Sequence, residues 1–159
     1  NGVSCNLVGT ADWATAGLFD TNENIPATGE DFIGVTWSGG FTSTNYSISG
    51  TNHLGGSLTI YESDSVANGG RVWSFNELIP TSKYNVVADH IGLNMTITKN
   101  TLEGNGNTAE AVLKYIHTYS AVEGSITIEP GDKTVSGSFT LSNTSKQWPL
   151  VCTVTNIPY

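Results

Sequence analysis

The acidic stretch from Asp20 to Asp31, DTNENIPATGED, contains the residue types of a calcium-binding loop. In the D-x-[DN]-x-[DN] pattern, oxygen ligands occupy positions one, three and five, and an acid at position twelve completes the shell. Asp20, Asn22, Asn24 and Asp31 occupy these positions. Position six is Ile25 rather than glycine, so the pattern predicts a loose calcium loop between strands instead of an EF-hand. An Asx-rich turn that bonds its own backbone explains the same residues, and the frequency of chance matches favours that alternative.

A second group of residues has the chemistry of a sugar-binding platform. On a β-strand, Tyr115, His117 and Tyr119 share one face, with rings for stacking and polar edges for hydrogen bonds. Trp13, in the predicted loop TADWATAG, is a further candidate ligand contact. Leu113 falls on the same face of that strand. It favours the alternative that the stripe points into a core, with its polar tips at the rim.

No enzymatic motif stands out in the chain. The three histidines are isolated from one another and from the cysteines, without the spacing of zinc ligands: His53, His90 and His117. The nearest match to a nucleophile elbow, TWSGG around Ser38, lacks the first glycine and a following helix. A glycan hydrolase with two carboxylates is the least favoured hypothesis, because nothing selects a particular pair.

The composition indicates a secreted protein. The net charge is −8 and only 13% of residues are charged, which excludes a basic surface for nucleic acid. Ser, Thr, Asn and Gly supply the polarity instead of Lys and Glu. No apolar run is long enough to span a membrane, and the start NGVSCNLVGT does not have the pattern of a signal peptide.

Cys5 and Cys152 lie near opposite ends of the chain, in the alternating stretches VSCNL and LVCTV. This placement predicts a disulfide that joins the two terminal strands. Loop closure of that size stabilises by roughly 5 kcal/mol at most. The bond would indicate an oxidising compartment. The alternative is two buried free thiols.

Alternation of apolar and polar residues predicts antiparallel strands along most of the chain. In DFIGVTWS, Ile33, Val35 and Trp37 share one face. The segment SITIEPGDKTVSGSFTL predicts a hairpin with a turn at residues 130–132. We therefore predict an all-β chain, an antiparallel β-sandwich or jelly roll of about 8–10 strands, with residues 1–159 as a single domain.

The order GSLTIYESD, RVWSFNEL, KYNV and EGSITIEPGDKTVSGSFTL resembles small bacterial surface and lipoprotein-like β-sandwich domains. In these domains a G-x-I-T-I hairpin leads to V-x-G-x-F. The resemblance covers about residues 55–157. It implies the fold and a secreted or cell-surface location, and it implies no catalytic residues.

Two hypotheses of function follow. The first is a non-catalytic extracellular module that binds a surface or glycan ligand. The alternative is a self-assembling structural or adhesive subunit, fibre or pilus-like, in which low charge allows strand addition. The sequons at Asn45, Asn94 and Asn143 permit glycosylation but occur as often as chance predicts.

Overall fold

A computed structural model describes residues 3–13, 30–76, 88–100, 108–118, 125–132, 135–142 and 147–158. These residues form strands and no helix, so the all-β prediction is confirmed. The described strands are β1 (Ser4–Asp12), β2 (Glu30–Trp37), β3 (Phe41–Asn52), β4 (Ile60–Val66), β5 (Gly70–Asn76), β6 (Ala88–Lys99), β7 (Thr108–Thr118), β8 (Ile126–Glu129), β9 (Ser138–Leu141) and β10 (Gln147–Pro158). No helix long and apolar enough to cross a membrane occurs in the described ranges.

The described strands form three antiparallel sheets. A five-stranded sheet has the order β10-β7-β2-β5-β4 and a three-stranded sheet has the order β1-β6-β3. The hairpin of β8 and β9 is a separate two-stranded sheet. The apolar residues between the first two sheets form the larger core, which includes Trp37, Trp73 and Phe75. The architecture is therefore a sandwich with an additional layer.

The hairpin covers the outer face of the five-stranded sheet and forms a second core there. Phe32 and Ile116 of the sheet pack with Phe139 of β9 in this core. Lys114 lies along the Phe139 ring and donates a hydrogen bond of 2.7 Å from Nζ to the Phe139 carbonyl. Burial lowers the pKa of the Lys114 ammonium. Because both faces of β2 are covered, almost every residue of this strand is buried.

Candidate functional site: the open edge between β1 and β10

The structure brings together three of the predicted ligand-binding residues, Trp13, Tyr115 and His117. They meet around Asp31, a residue predicted as a calcium ligand. Asp31 Oδ2 accepts a short hydrogen bond from the Tyr115 hydroxyl and lies 2.7 Å from His117 Nδ1. Its Oδ1 accepts a hydrogen bond of 2.9 Å from the backbone N–H of Thr118. The cluster therefore ties β2 to β7.

This cluster lies inside the sandwich rather than on its surface. Asp31 is completely buried, and Tyr115 and His117 are nearly so. The Trp13 ring packs edge-on against Tyr115 at 5.7 Å and against His117 at 5.4 Å between ring centroids. Since their rings face the core, Tyr115 and His117 do not present a flat surface to a sugar. Tyr119 lies outside the described residues.

The predicted calcium loop falls mostly outside the described residues, which exclude Asp20, Asn22 and Asn24. Asp31 lies within them, and its two carboxylate oxygens accept hydrogen bonds from the Tyr115 hydroxyl and the Thr118 N–H. Among the described residues, no group of three or more His, Cys, Asp or Glu side chains is arranged to hold a metal ion. The calcium site therefore stays a prediction.

An acidic cleft of about 490 Å³ lies between the outer face of the five-stranded sheet and β8. Glu30, Glu62 and Asp64 contribute its carboxylates. Glu62 is held by Arg71, and Asp64 Oδ1 accepts the backbone N–H of Ser65 at 2.8 Å. Two of the three carboxylates therefore have structural partners.

Polar and aromatic side chains close one lateral edge of the sandwich. Arg71 on β5 contacts both carboxylate oxygens of Glu62 on β4, at 3.0 and 2.9 Å, and its guanidinium lies 4.6 Å from the ring centroid of Tyr46 on β3. The Tyr46 hydroxyl donates a 2.5 Å hydrogen bond to Glu62, and its ring lies 5.3 Å from that of Trp73. Burial opposes ionisation of Glu62. Hydrogen bonds, with Tyr46 foremost, and the charge of Arg71 outweigh it, so the pKa of Glu62 lies below its ordinary value.

We expect Glu62→Gln to lower the free energy of unfolding by about 0.5 kcal/mol at pH 7, the scale of a solvent-screened ion pair. A carboxylate with a lowered pKa stabilises the fold above its unfolded pKa of about 4.3 and loses that effect as pH falls through the folded pKa. The deficit should therefore be smaller at pH 3 than at pH 7. Urea titrations at both pH values measure it, with Glu129→Gln on the exposed side of β8 as control. An equal deficit at both pH values would contradict the expected role of the charge.

The opposite lateral edge is open in the part of the chain that the structure describes. Across the larger core, β1 faces β7: a Cβ added to Gly9 would lie 2.8 Å from Leu113 Cδ2. Trp13, directly after β1, contacts Tyr115 of β7 and so continues this arrangement further along the chain. The three-stranded sheet ends at β1, whereas the five-stranded sheet continues by one more strand, β10. In the described part of the chain, no strand of the smaller sheet faces β10.

The uncovered face of β10 is apolar. Leu150, Cys152 and Val154 pair with the core-facing residues of β7, and directly paired residues point to the same face. They nevertheless remain exposed, Leu150 at 58% and Val154 at 52%. A groove of about 510 Å³ runs between β1 and β10, and its lining includes Leu7, Gly9, Leu113, Cys152 and Val154.

The edge of β1 beside this groove presents backbone hydrogen-bonding groups. Lys99 N–H donates to Val3 O, and Trp13 N–H donates to Asp89 O, so the odd-numbered residues of β1 bond to β6. Backbone groups alternate in direction along a strand. The even-numbered residues, Asn6, Val8 and Thr10 among them, therefore direct their N–H and C=O groups away from the sheet. Together with the apolar floor, this edge has the features of a site that accepts a strand.

The predicted disulfide is wrong: Cys5 and Cys152 are free thiols in the structure. The strand register gives the reason. Gly9 lies level with Leu113, which pairs with Cys152. Cys5 is four residues away from that level, roughly 13 Å along β1. A disulfide requires Cα atoms within about 7 Å of each other. Burial also raises the pKa of the Cys5 thiol.

Comparison with known proteins adds no family. No protein-family model matches the chain, and no curated protein matches it in sequence. The resemblance to lipoprotein-like sandwich domains therefore stays a prediction.

Proposed function

We propose that this domain is a non-catalytic extracellular assembly module that joins another polypeptide by strand addition at the open edge. The observation that carries the proposal is the mismatch between the two sheets, which leaves the apolar inner face of β10 beside the bonding edge of β1. Soluble proteins usually protect an edge of this kind with charges, bulges or covering loops. Apart from Asp12, the β1 sequence SCNLVGTAD has no charged side chain.

The same observation supports assembly over glycan binding. A glycan platform needs exposed rings, and Tyr115 and His117 are buried. An added strand needs bonding groups along an edge and alternating apolar contacts beneath it. The groove supplies both. The extracellular location rests on the low charge and on the Ser-, Thr- and Asn-rich composition.

Hydrogen exchange at the backbone amides of Asn6 and Thr10 tests the proposal. We expect these outward amides to be protected by about tenfold or more, which corresponds to 1.4 kcal/mol of pairing free energy. Protection should be present in the protein alone, or appear on addition of a synthetic peptide of residues 147–158 with serine at position 152. Fast exchange at both amides under both conditions would overturn strand addition.

Val8→Pro is the variant that separates strand addition from the fold. The Val8 N–H points away from β6, so proline removes no bond of the β1–β6 ladder, and proline is tolerated on edge strands. We expect the protection of Asn6 and Thr10 to disappear in Val8→Pro. Val8→Thr, which retains the N–H, is the matched control and should keep it. Thermal unfolding of the two variants at similar temperatures shows that the fold is intact.

A further inference from the structure

We infer that the strand that completes the open edge is β10 of a second copy of this chain, in a reciprocal dimer. The inference rests on the proposed function and names its partner. Among the described strands, the larger sheet of each copy extends one strand beyond the smaller sheet at this edge. A twofold axis parallel to the strands, placed over β10, brings the second copy's β10 beside β1. The same axis places this copy's β10 beside the second copy's β1.

The strand directions agree with this arrangement. β1 and β7 run in the same direction, because Gly9 meets Leu113 and Trp13 meets Tyr115 further along both strands. β10 is antiparallel to β7 and therefore to β1. Rotation about an axis parallel to the strands preserves their direction. The second copy's β10 thus meets β1 antiparallel, as in every strand pair of the described sheets.

The backbone groups of β10 point the right way for this pairing. Ser38 N–H donates to Glu110 O, so the even-numbered residues of β7 bond towards β2 and the odd-numbered ones towards β10. Leu113 and Cys152 therefore form a bonded pair, and Val151 directs its backbone outwards. Pro149 also falls on this outward side, and because it has no N–H to donate, the pairing lacks one hydrogen bond there, opposite Asp12 at the end of β1.

The register also agrees. Because Gly9 is level with Leu113 and Leu113 pairs with Cys152, Gly9 comes opposite the second copy's Cys152. Val8 then lies opposite the second copy's Thr153. Both residues direct their backbone N–H and C=O groups away from their own sheets, so the two can bond to each other. In this register, the core-facing side chains of β1 lie opposite the core-facing side chains of the second copy's β10.

Charge and area favour a second copy as the occupant. The β10 sequence QWPLVCTVTNIP has no charged side chain, so two chains of net charge −8 approach there without direct charge repulsion. The exposed Leu150, Cys152 and Val154 of each copy pack against those of the other. Each regular edge pairing is about 20 Å long, over residues 7–12 and 149–154, because β10 has a bulge after Val154. The two pairings and the packed faces bury on the order of 500 Å² per copy, at the small end of specific interfaces.

Crosslinking at Cys152 tests the dimer. The axis places the two Cys152 residues opposite each other at roughly the 10 Å spacing of packed sheets, too far for a direct disulfide and within reach of a short bismaleimide. In a Cys5→Ser variant, Cys152 is the only thiol. We expect the reagent to convert most of the protein to a band of twice the 16.8 kDa chain mass.

The matched control moves the thiol by one residue. In Cys5→Ser/Cys152→Ser/Thr153→Cys the thiol lies on the outer face of β10, because Thr153 pairs with the outward-facing Val112. Crosslinking should fall at least fivefold in this variant, and also when Val8→Pro is added to Cys5→Ser. Sedimentation equilibrium of the unmodified protein should give the dimer mass.

The remaining outcomes separate this inference from the proposed function. A monomer at millimolar concentration whose β1 amides are protected by the β10 peptide would overturn the dimer and leave strand addition standing. A dimer that crosslinks equally well at position 153, or that survives Val8→Pro unchanged, would place the interface on another face and overturn the inference. A monomer with unprotected β1 amides would overturn both.

Discussion

Asp31→Ala is expected to lower the free energy of unfolding by about 4 kcal/mol. The substitution removes the acceptor for the Tyr115 hydroxyl, the His117 ring and the Thr118 N–H, all in the interior of the sandwich. A buried donor that loses its acceptor costs ~1–3 kcal/mol, and partial relaxation keeps the sum below three full penalties. Urea denaturation at pH 7 measures the difference.

Tyr115→Phe provides the scale for that result. This variant keeps the ring between Trp13 and Phe75 and removes one hydrogen bond, so it should cost about 1 kcal/mol. If Asp31→Ala cost no more than Tyr115→Phe, the carboxylate would not be the acceptor that holds β2 to β7.

The Asp31 cluster also bears on the open edge, because Trp13 follows the last residue of β1 and packs on Tyr115 and His117. This contact of Trp13 fixes the position of β1 along the direction of β7. The groove is then formed before any strand is added, which reduces the ordering cost of binding. Asp31→Ala should therefore weaken strand addition as well as the fold.

Local alternation was sufficient to predict strands but not their layers. The pattern of Ile33, Val35 and Trp37 correctly indicated one core-facing side of β2. It did not indicate that Phe32, on the other side, is buried as well. That burial depends on the β8–β9 hairpin, which packs from more than 90 residues away along the chain. Periodicity reports which residues share a face and carries no information about what covers it.

The same limit explains the candidate site. The stretch LVCTV has the alternation of a core strand, and only the strand order shows that nothing covers its inner face in the described part of the chain. Cys5 and Cys152 both lie in alternating stretches typical of core strands. Their separation along the strand direction, however, depends on how the two sheets are aligned. Asp31 ends an acidic stretch with the residue types of a calcium loop. Its burial arises from the pairing of β2 with β7. Each of these properties is set by contacts distant in sequence.

The attachment of the hairpin gives the second large effect: Phe139→Ala should lower the free energy of unfolding by about 4 kcal/mol. Phe139 is almost completely buried in the outer core, and truncation of such a ring leaves a cavity. Gly34→Ala should cost about 2 kcal/mol for the opposite reason. The added Cβ would lie 2.6 Å from Phe139 Cε1 and 2.8 Å from Val72 Cγ2.

The two substitutions should compensate each other, because the methyl group at position 34 enters the space that the Phe139 ring leaves. We expect the double variant to be at least ~1 kcal/mol more stable than the sum of the single effects predicts, as for residues that share one cavity. Gly92→Ala is the matched glycine control: its Cβ would meet only His90 Nε2, at 3.4 Å, and should cost under about 0.5 kcal/mol. Urea denaturation of the four variants measures the cycle. Strict additivity would mean that the Phe139 ring does not pack on β2 at Gly34.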